Sequence, residues 1–143
     1  MAMPFGSGFS PLLGEPRMGL IPLPQVTVTT KSTAGAATLT ASEILGGLLL
    51  RDPNGAGRTD TLPTAESLIA AIPGVMVNTS FQFDIRNTAD ASETITIAAG
   101  SGGTTSGTMT IAQNNGKRFI VVITNNLQGS AAYTVYSLGT YVF

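Results

Sequence analysis

Residues 80–87, Ser-Phe-Gln-Phe-Asp-Ile-Arg-Asn, alternate so strictly that only a half-buried strand suits them. A side-chain period of two sends Phe81, Phe83 and Ile85 to one face and Gln82, Asp84 and Arg86 to the other. One strand needs partners, and the chain repeats the pattern. Residues 25–30 alternate Gln, Val and Thr; residues 93–98 read Glu-Thr-Ile-Thr-Ile-Ala; and segments 108–112 and 131–137 follow suit. Residues 118–124 are apolar enough to sit centrally, a second short strand is expected at 37–39, and the leucines 48–50 form a short buried run. Residues 138–143 add an edge or interface strand.

Turn chemistry separates these runs. Residues 51–57 carry Pro53, which sets φ, and Asn54-Gly55, which supplies a bend. Asn114-Asn115-Gly116 is a hairpin signal, and residues 125–130 make the next turn. The Gly-rich stretch 100–107 reads as a flexible connection between strands. Thr40-Ala-Ser-Glu43 is a capping-box pattern, so residues 41–45 form one helical turn. Thr64 is a good N-cap, with Ala65, Leu68, Ile69 and Ile72 spaced along one helical face before Pro73-Gly74 stops it. The expected fold is mainly β: an antiparallel β-sandwich or jelly roll over residues 25–143, with one short inserted helix at about 64–72. An open meander with the helix on one face is the alternative.

Ahead of it, residues 1–24 cannot continue as helix or central strand. Pro4, Pro11, Pro16, Pro22 and Pro24 remove donors, and Gly6, Gly8, Gly14 and Gly19 loosen the backbone. The expectation is an extended arm. Solvated arms are polar, yet this one holds Phe5, Phe9, Leu12, Leu13, Met18, Leu20 and Ile21, with only Glu15 and Arg17 charged. Burying about six such side chains contributes roughly 1.5–3 kcal/mol each. Ordering some twenty residues costs roughly 1 kcal/mol apiece. The two nearly cancel, so docking needs added backbone hydrogen bonds or several copies acting together. A neighbouring subunit in a lattice meets both needs; an arm folded onto its own domain is the plainer alternative. Tyr141 and Phe143, at an equally apolar end, are candidate subunit contacts.

Composition narrows the chemistry. With no cysteine and no histidine, disulfides, thiolate or histidine metal sites and histidine proton transfer are excluded. A net charge of -1, with 10% charged residues, leaves no basic stripe for nucleic acid or an anionic membrane. No run approaches the length of a membrane span. Residues 1–24 lack the n-region and h-region of a signal peptide, so synthesis in the host cell interior is expected, and the sequon Asn78-Thr79-Ser80 should stay unmodified. Sparse charge with 43% hydrophobic residues is unusual for a free monomer. It suits either a Thr-rich β domain or an assembly subunit.

The remaining motifs carry little chemistry. Residues 100–107 superficially resemble a phosphate loop but lack its lysine and precede a strand. Arg51-Asp52 with Asp60 matches no calcium loop, and Arg51/Asp52 or Arg58/Asp60 read as surface pairs. Asp84 and Glu93 are the only carboxylates in the strand-rich half that suit an acid/base pair, while Lys31 and Lys117 lie in no apolar pocket on this reading. No catalytic residue, metal or cofactor is expected.

Several stretches taken together are familiar: residues 38–55, residues 59–74, the strand 80–87, Thr94-Ile-Thr-Ile-Ala-Ala-Gly and Met109-Thr-Ile-Ala-Gln-Asn-Asn. Over roughly residues 38–140 the chain resembles a module of virion surface proteins of tailed phages and some large DNA viruses. These include capsid decoration (cement), minor capsid and head-fibre proteins. The resemblance rests on strand alternation and turns, and does not extend to the arm. It implies a β-sandwich that trimerises and sits on, or projects from, a capsid, with the major capsid protein or neighbouring capsid subunits as partners. Two other roles stay open: a receptor-binding module using loops 100–107 and 125–130, and a polysaccharide hydrolase using Asp84 and Glu93.

Overall fold

The capping box forms as its four residues require. In a computed structural model describing Leu23 and residues 25–143, the Glu43 N–H donates to Thr40 Oγ1 at 3.2 Å and the Thr40 N–H to Glu43 Oε2 at 3.0 Å. Helix α1 (Ala41–Leu45) follows, then Gly47 at φ 100 turns the chain into a strand. Residues 1–22 and Pro24, and with them the arm contacts Phe5, Phe9, Leu12, Leu13, Met18, Leu20 and Ile21, lie outside the described residues.

The elements run β1 (Thr27–Lys31), α1, β2 (Gly47–Arg51), β3 (Arg58–Thr61), α2 (Ala65–Ala71), β4 (Ser80–Asn87), β5 (Ile95–Ala98), β6 (Gly103–Ser106), β7 (Thr110–Ile111), β8 (Asn115–Asn125) and β9 (Ala132–Val142). They build a six-stranded sheet in the order β1-β2-β4-β8-β9-β6 and a three-stranded sheet in the order β3-β5-β7. The chain is mainly β, as expected, but the sheets are mixed. Pairs β1/β2, β2/β4, β6/β9 and β3/β5 are parallel; β4/β8, β8/β9 and β5/β7 are antiparallel. Parallel neighbours need long crossovers, and two of them hold α1, the expected turn at 41–45, and α2, the expected inserted helix.

Other expectations change for local reasons. Segment 37–39 makes only an isolated bridge, Thr38 to Thr61. Strand β3, which the pattern missed, reads Arg-Thr-Asp-Thr and points a carboxylate inward. Half of the Gly-rich stretch 100–107 is strand β6, an edge of the larger sheet. Asn114 does take a positive φ of 61, yet β7 and β8 belong to different sheets, so the turn crosses from one sheet to the other and closes no hairpin. Residues 138–142 are no separate edge strand. They continue β9, which passes through a bulge opposite Arg118 and Phe119.

The inward positions of both sheets and both helices share one hydrophobic cluster. Phe83 and Phe119 stack at 5.2 Å between ring centroids, and Ile85, Val121, Ile95 and Ile111 are fully buried with Ile44 and Leu68 from the helices. Tyr133 is buried over Gly103, where any Cβ would strike its ring, and its hydroxyl donates to Pro63 O at 2.9 Å while accepting the Gly100 N–H at 3.0 Å. Burial pushes the Tyr133 hydroxyl above its ordinary range, against the bond from Gly100. Tyr141 sits over Gly116 in the same way.

Candidate functional site

Two regions carry chemistry: the outward face of the six-stranded sheet and the polar end of its inward face. On the outward face the register lines up Val28, Leu48, Asp84, Arg118 and Gly139 across five strands. The neighbouring row is Thr30, Leu50, Arg86, Gly116 and Tyr141. Asp84 faces outward, as its alternation predicts, but its ion-pair partner is Arg118. The guanidinium grips both carboxylate oxygens, at 2.8 and 3.1 Å, and the Tyr141 hydroxyl donates to Oδ2 at 2.8 Å. Arg86 instead lies over the Phe143 ring, 4.5 Å from its centroid.

Partial burial pushes the Asp84 carboxyl upward. The bonds from Arg118 and Tyr141, with the charges of Arg118 and Arg86, outweigh it and hold the carboxyl below its ordinary range. Burial, then the bond to Asp84, pushes Tyr141 the other way. Tyr141 is therefore a fixed part of this network, whereas Val142 and Phe143 are 79% and 44% exposed.

Around the charged cluster the face is apolar. Val26, Val28, Tyr136 and Leu138 are exposed on it. Beside Asp84 and Arg118 lies a shallow groove of about 320 Å³, floored by Leu48 and bounded by Val26 where the chain enters β1.

The inward face ends differently. Arg51, Asp60, Asn87, Glu93 and Lys117 are the buried polar or charged residues among those described. Register and hydrogen bonds gather them at one end of the core. Arg51 stands beside Asn87 in the β2/β4 ladder, and Lys117 opposes Ile85, two positions before Asn87. The expected surface pairs are overturned here, because Arg51 and Asp60 form one ion pair with side chains 0% and 1% exposed. Arg51 Nε donates to Asp60 Oδ2 at 2.6 Å; its Nη atoms reach the carbonyls of Gly35 (2.6 Å), Thr33 (3.0 Å) and Asp52 (2.5 Å). Asp60 Oδ1 also accepts the Ala37 N–H at 2.8 Å. The pair thus joins β2 of one sheet to β3 of the other and pins the segment leading to α1.

Asn87 donates to the carbonyls of Glu93 (2.8 Å) and Ile111 (3.0 Å), stitching β4 to the smaller sheet's strands. Lys117, read as lying outside any apolar pocket, is in fact 4% exposed, with Nζ donating to Thr108 O at 3.0 Å. The carboxylates weighed as an acid/base pair have separate partners: Asp84 is held by Arg118 and Tyr141, Glu93 by the Gly55 N–H at 2.9 Å. Among the described residues no cluster of acidic side chains is placed to hold a metal ion, and no helix is long and apolar enough to cross a membrane.

Sequence reasoning placed Asp84 on the outward face but missed its partner Arg118 and the Arg51–Asp60 pair. Outward alternation of Asp84 and Arg118 was a usable signal; their register was not. No protein-family model matches the chain, and no curated protein or solved structure matches it.

Proposed function

We propose that this chain is a structural subunit of a virus particle: a capsid decoration (cement) protein whose arm, residues 1–24, binds the major capsid protein or a neighbouring copy. On this reading the six- and three-stranded sheets are the two layers of a β-sandwich, and the domain associates with itself as a trimer. The observation that carries it is a set of exposed apolar side chains on both sides of the Asp84–Arg118 pair. Leu23, Val26 and Val28 are 80%, 64% and 55% exposed at the entry to β1, and beyond the Asp84–Arg118 pair Tyr136 and Leu138 of β9 are 41% and 51% exposed. A lone domain gains nothing from holding these groups in water. A subunit in a lattice covers them, and many weak apolar contacts across seams resist pressure from within.

Deleting residues 1–24 tests the proposal. The shortened protein should remain folded and leave the capsid, with its loss measured by quantifying the protein in purified particles. Full occupancy without those residues overturns it. The oligomer mass of the isolated protein tests the trimer.

A second reading, a receptor-binding module of a fibre or spike, has its own support at the end of the molecule holding the α2–β4 and β8–β9 loops. Met76, Val77 and Leu127 are 67%, 50% and 64% exposed there, beside a groove of about 270 Å³ lined by Glu66, Ile69, Val75 and Asn126. Asn126 ties the two loops by donating to Val75 O at 3.1 Å. Copy number separates the readings: a protein covering the whole shell is decoration, and a few copies at a vertex or tail mean adhesion.

A further inference from the structure

The turn after β2 holds groups that the role above does not use. Asn54 is exposed, with φ 52, and precedes Gly55 at φ 113. Its N–H donates to Asp52 Oδ1 at 2.8 Å, and its side-chain Nδ2 to Ser32 O at 3.2 Å. The Gly55 N–H donates to Glu93 Oε2 at 2.9 Å. Glu93 is only 7% exposed, and its second oxygen, Oε1, is buried without a hydrogen-bond partner. A Cβ on Gly55 would touch nothing, so the turn is not packed over at this position.

We propose that Asn54-Gly55 is a self-modification site with Glu93 as its base. Glu93 takes the proton of the Gly55 amide as that nitrogen attacks Asn54 Cγ. A new N–C bond closes a five-membered succinimide, and the Cγ–Nδ2 bond breaks. The departing amide leaves as ammonia, carrying the proton that Glu93 returns. Water then opens the ring at either carbonyl, leaving aspartate or isoaspartate at position 54. The sum is one amide plus water giving one carboxyl group plus ammonia, with no change of oxidation state.

A neutral acceptor on Gly55 N–H would only restrain the turn. A buried carboxylate can instead remove the proton and pass it on to the leaving nitrogen. The product matters to the fold because the turn is tied to Arg51: Asp52 O accepts from Arg51 Nη1, and Asn54 holds Ser32. Conversion adds a carboxylate beside Asp52, and the isoaspartate form lengthens the backbone of this anchor.

The chain carries its own reference, since Asn115-Gly116 is the same dipeptide held in the ladder between β4 and β9. Full-length protein is incubated at neutral pH, folded and in urea, and both sites are followed by peptide mass spectrometry with isoaspartate detection. Asn54 should convert faster in the folded protein than in the unfolded chain, and Asn115 more slowly. Glu93→Gln keeps an acceptor for Gly55 but removes the base. It should slow Asn54 by at least about tenfold, a conservative bound on what a positioned proton acceptor contributes. Slower conversion of Asn54 in the folded state than in urea overturns the proposal. So does a Glu93→Gln protein that reacts within tenfold of the parent or faster. If that variant does not fold, the folded-versus-urea comparison on the unaltered protein decides alone.

Discussion

Replacing Arg51 by Met tests how the two sheets are joined. The substitution keeps much of the side-chain volume and removes every donor. Asp60, whose side chain is 1% exposed, then keeps one donor among those seen, the Ala37 N–H. Breaking one partner of a buried ion pair costs about 3–5 kcal/mol, because the remaining charge stays in a poor solvent. The carbonyls of Thr33, Gly35 and Asp52 also lose their donor. They lie at part-buried positions that water can partly reach, so together they add about 1 kcal/mol, the low end for orphaned acceptors. The expected loss is about 4–6 kcal/mol, against a total of roughly 5–15 kcal/mol for a domain. Urea unfolding measures it. The double variant Arg51→Met with Asp60→Leu removes the stranded charge, so it should recover much of the loss yet stay about 1–3 kcal/mol below the parent, because the carbonyls and the Ala37 N–H remain without partners. Two results refute the reasoning: Arg51→Met within about 1 kcal/mol of the parent, or a double variant no more stable than the single one.

Gly116→Ala places a methyl group inside the Tyr141 ring. The ring must leave Asp84, at a cost of about 1–3 kcal/mol for overpacking; urea unfolding gives the loss, and spectrophotometric titration should show the Tyr141 hydroxyl returning toward its ordinary range. Asp84 and Glu43 are both held below their ordinary range. For Glu43, burial opposes the shift, and bonds from Lys31 and Thr40 win. Their contribution to stability is present above the unfolded values, about 4, and is lost as pH falls through the lowered folded values. Asp84→Asn should therefore flatten the decline of stability below about pH 4, read by urea unfolding across the acid range; an unchanged slope would contradict the assignment. At the alkaline end the signs reverse. Tyr133 and Tyr141 are raised, so stability falls as pH climbs past about 10.

What was legible in the sequence was local. The Thr40 capping box, the Thr64 N-cap and the alternation of β4 each lie within a few residues, and their geometry follows from those residues alone. What stayed hidden needed a distant partner. Asp60 looks like a surface charge until Arg51 is placed beside it, and β3 was missed because that inward carboxylate breaks the apolar alternation. Gly103 reads as loop until the Tyr133 ring is laid over it. Asn114 gives the bend its chemistry demands, but a turn does not name the sheet the next strand will join. At the candidate surface, the aromatic end was visible as an anomaly of composition. Its hold on Asp84, 57 residues away, was not.

Strand β9 follows every other described element in sequence, yet it fills the slot between β8 and β6. During synthesis β6 emerges with no neighbour in its layer, and β8 offers a bare ladder of donors and acceptors until β9 arrives. A product stalled before β9 would present that ladder together with the unfilled beds of Tyr133 and Val135, the conditions under which chains stick to one another. Tyr136 and Leu138 belong to the same strand, so the exposed apolar groups they add to the sheet are in place only when the sheet closes.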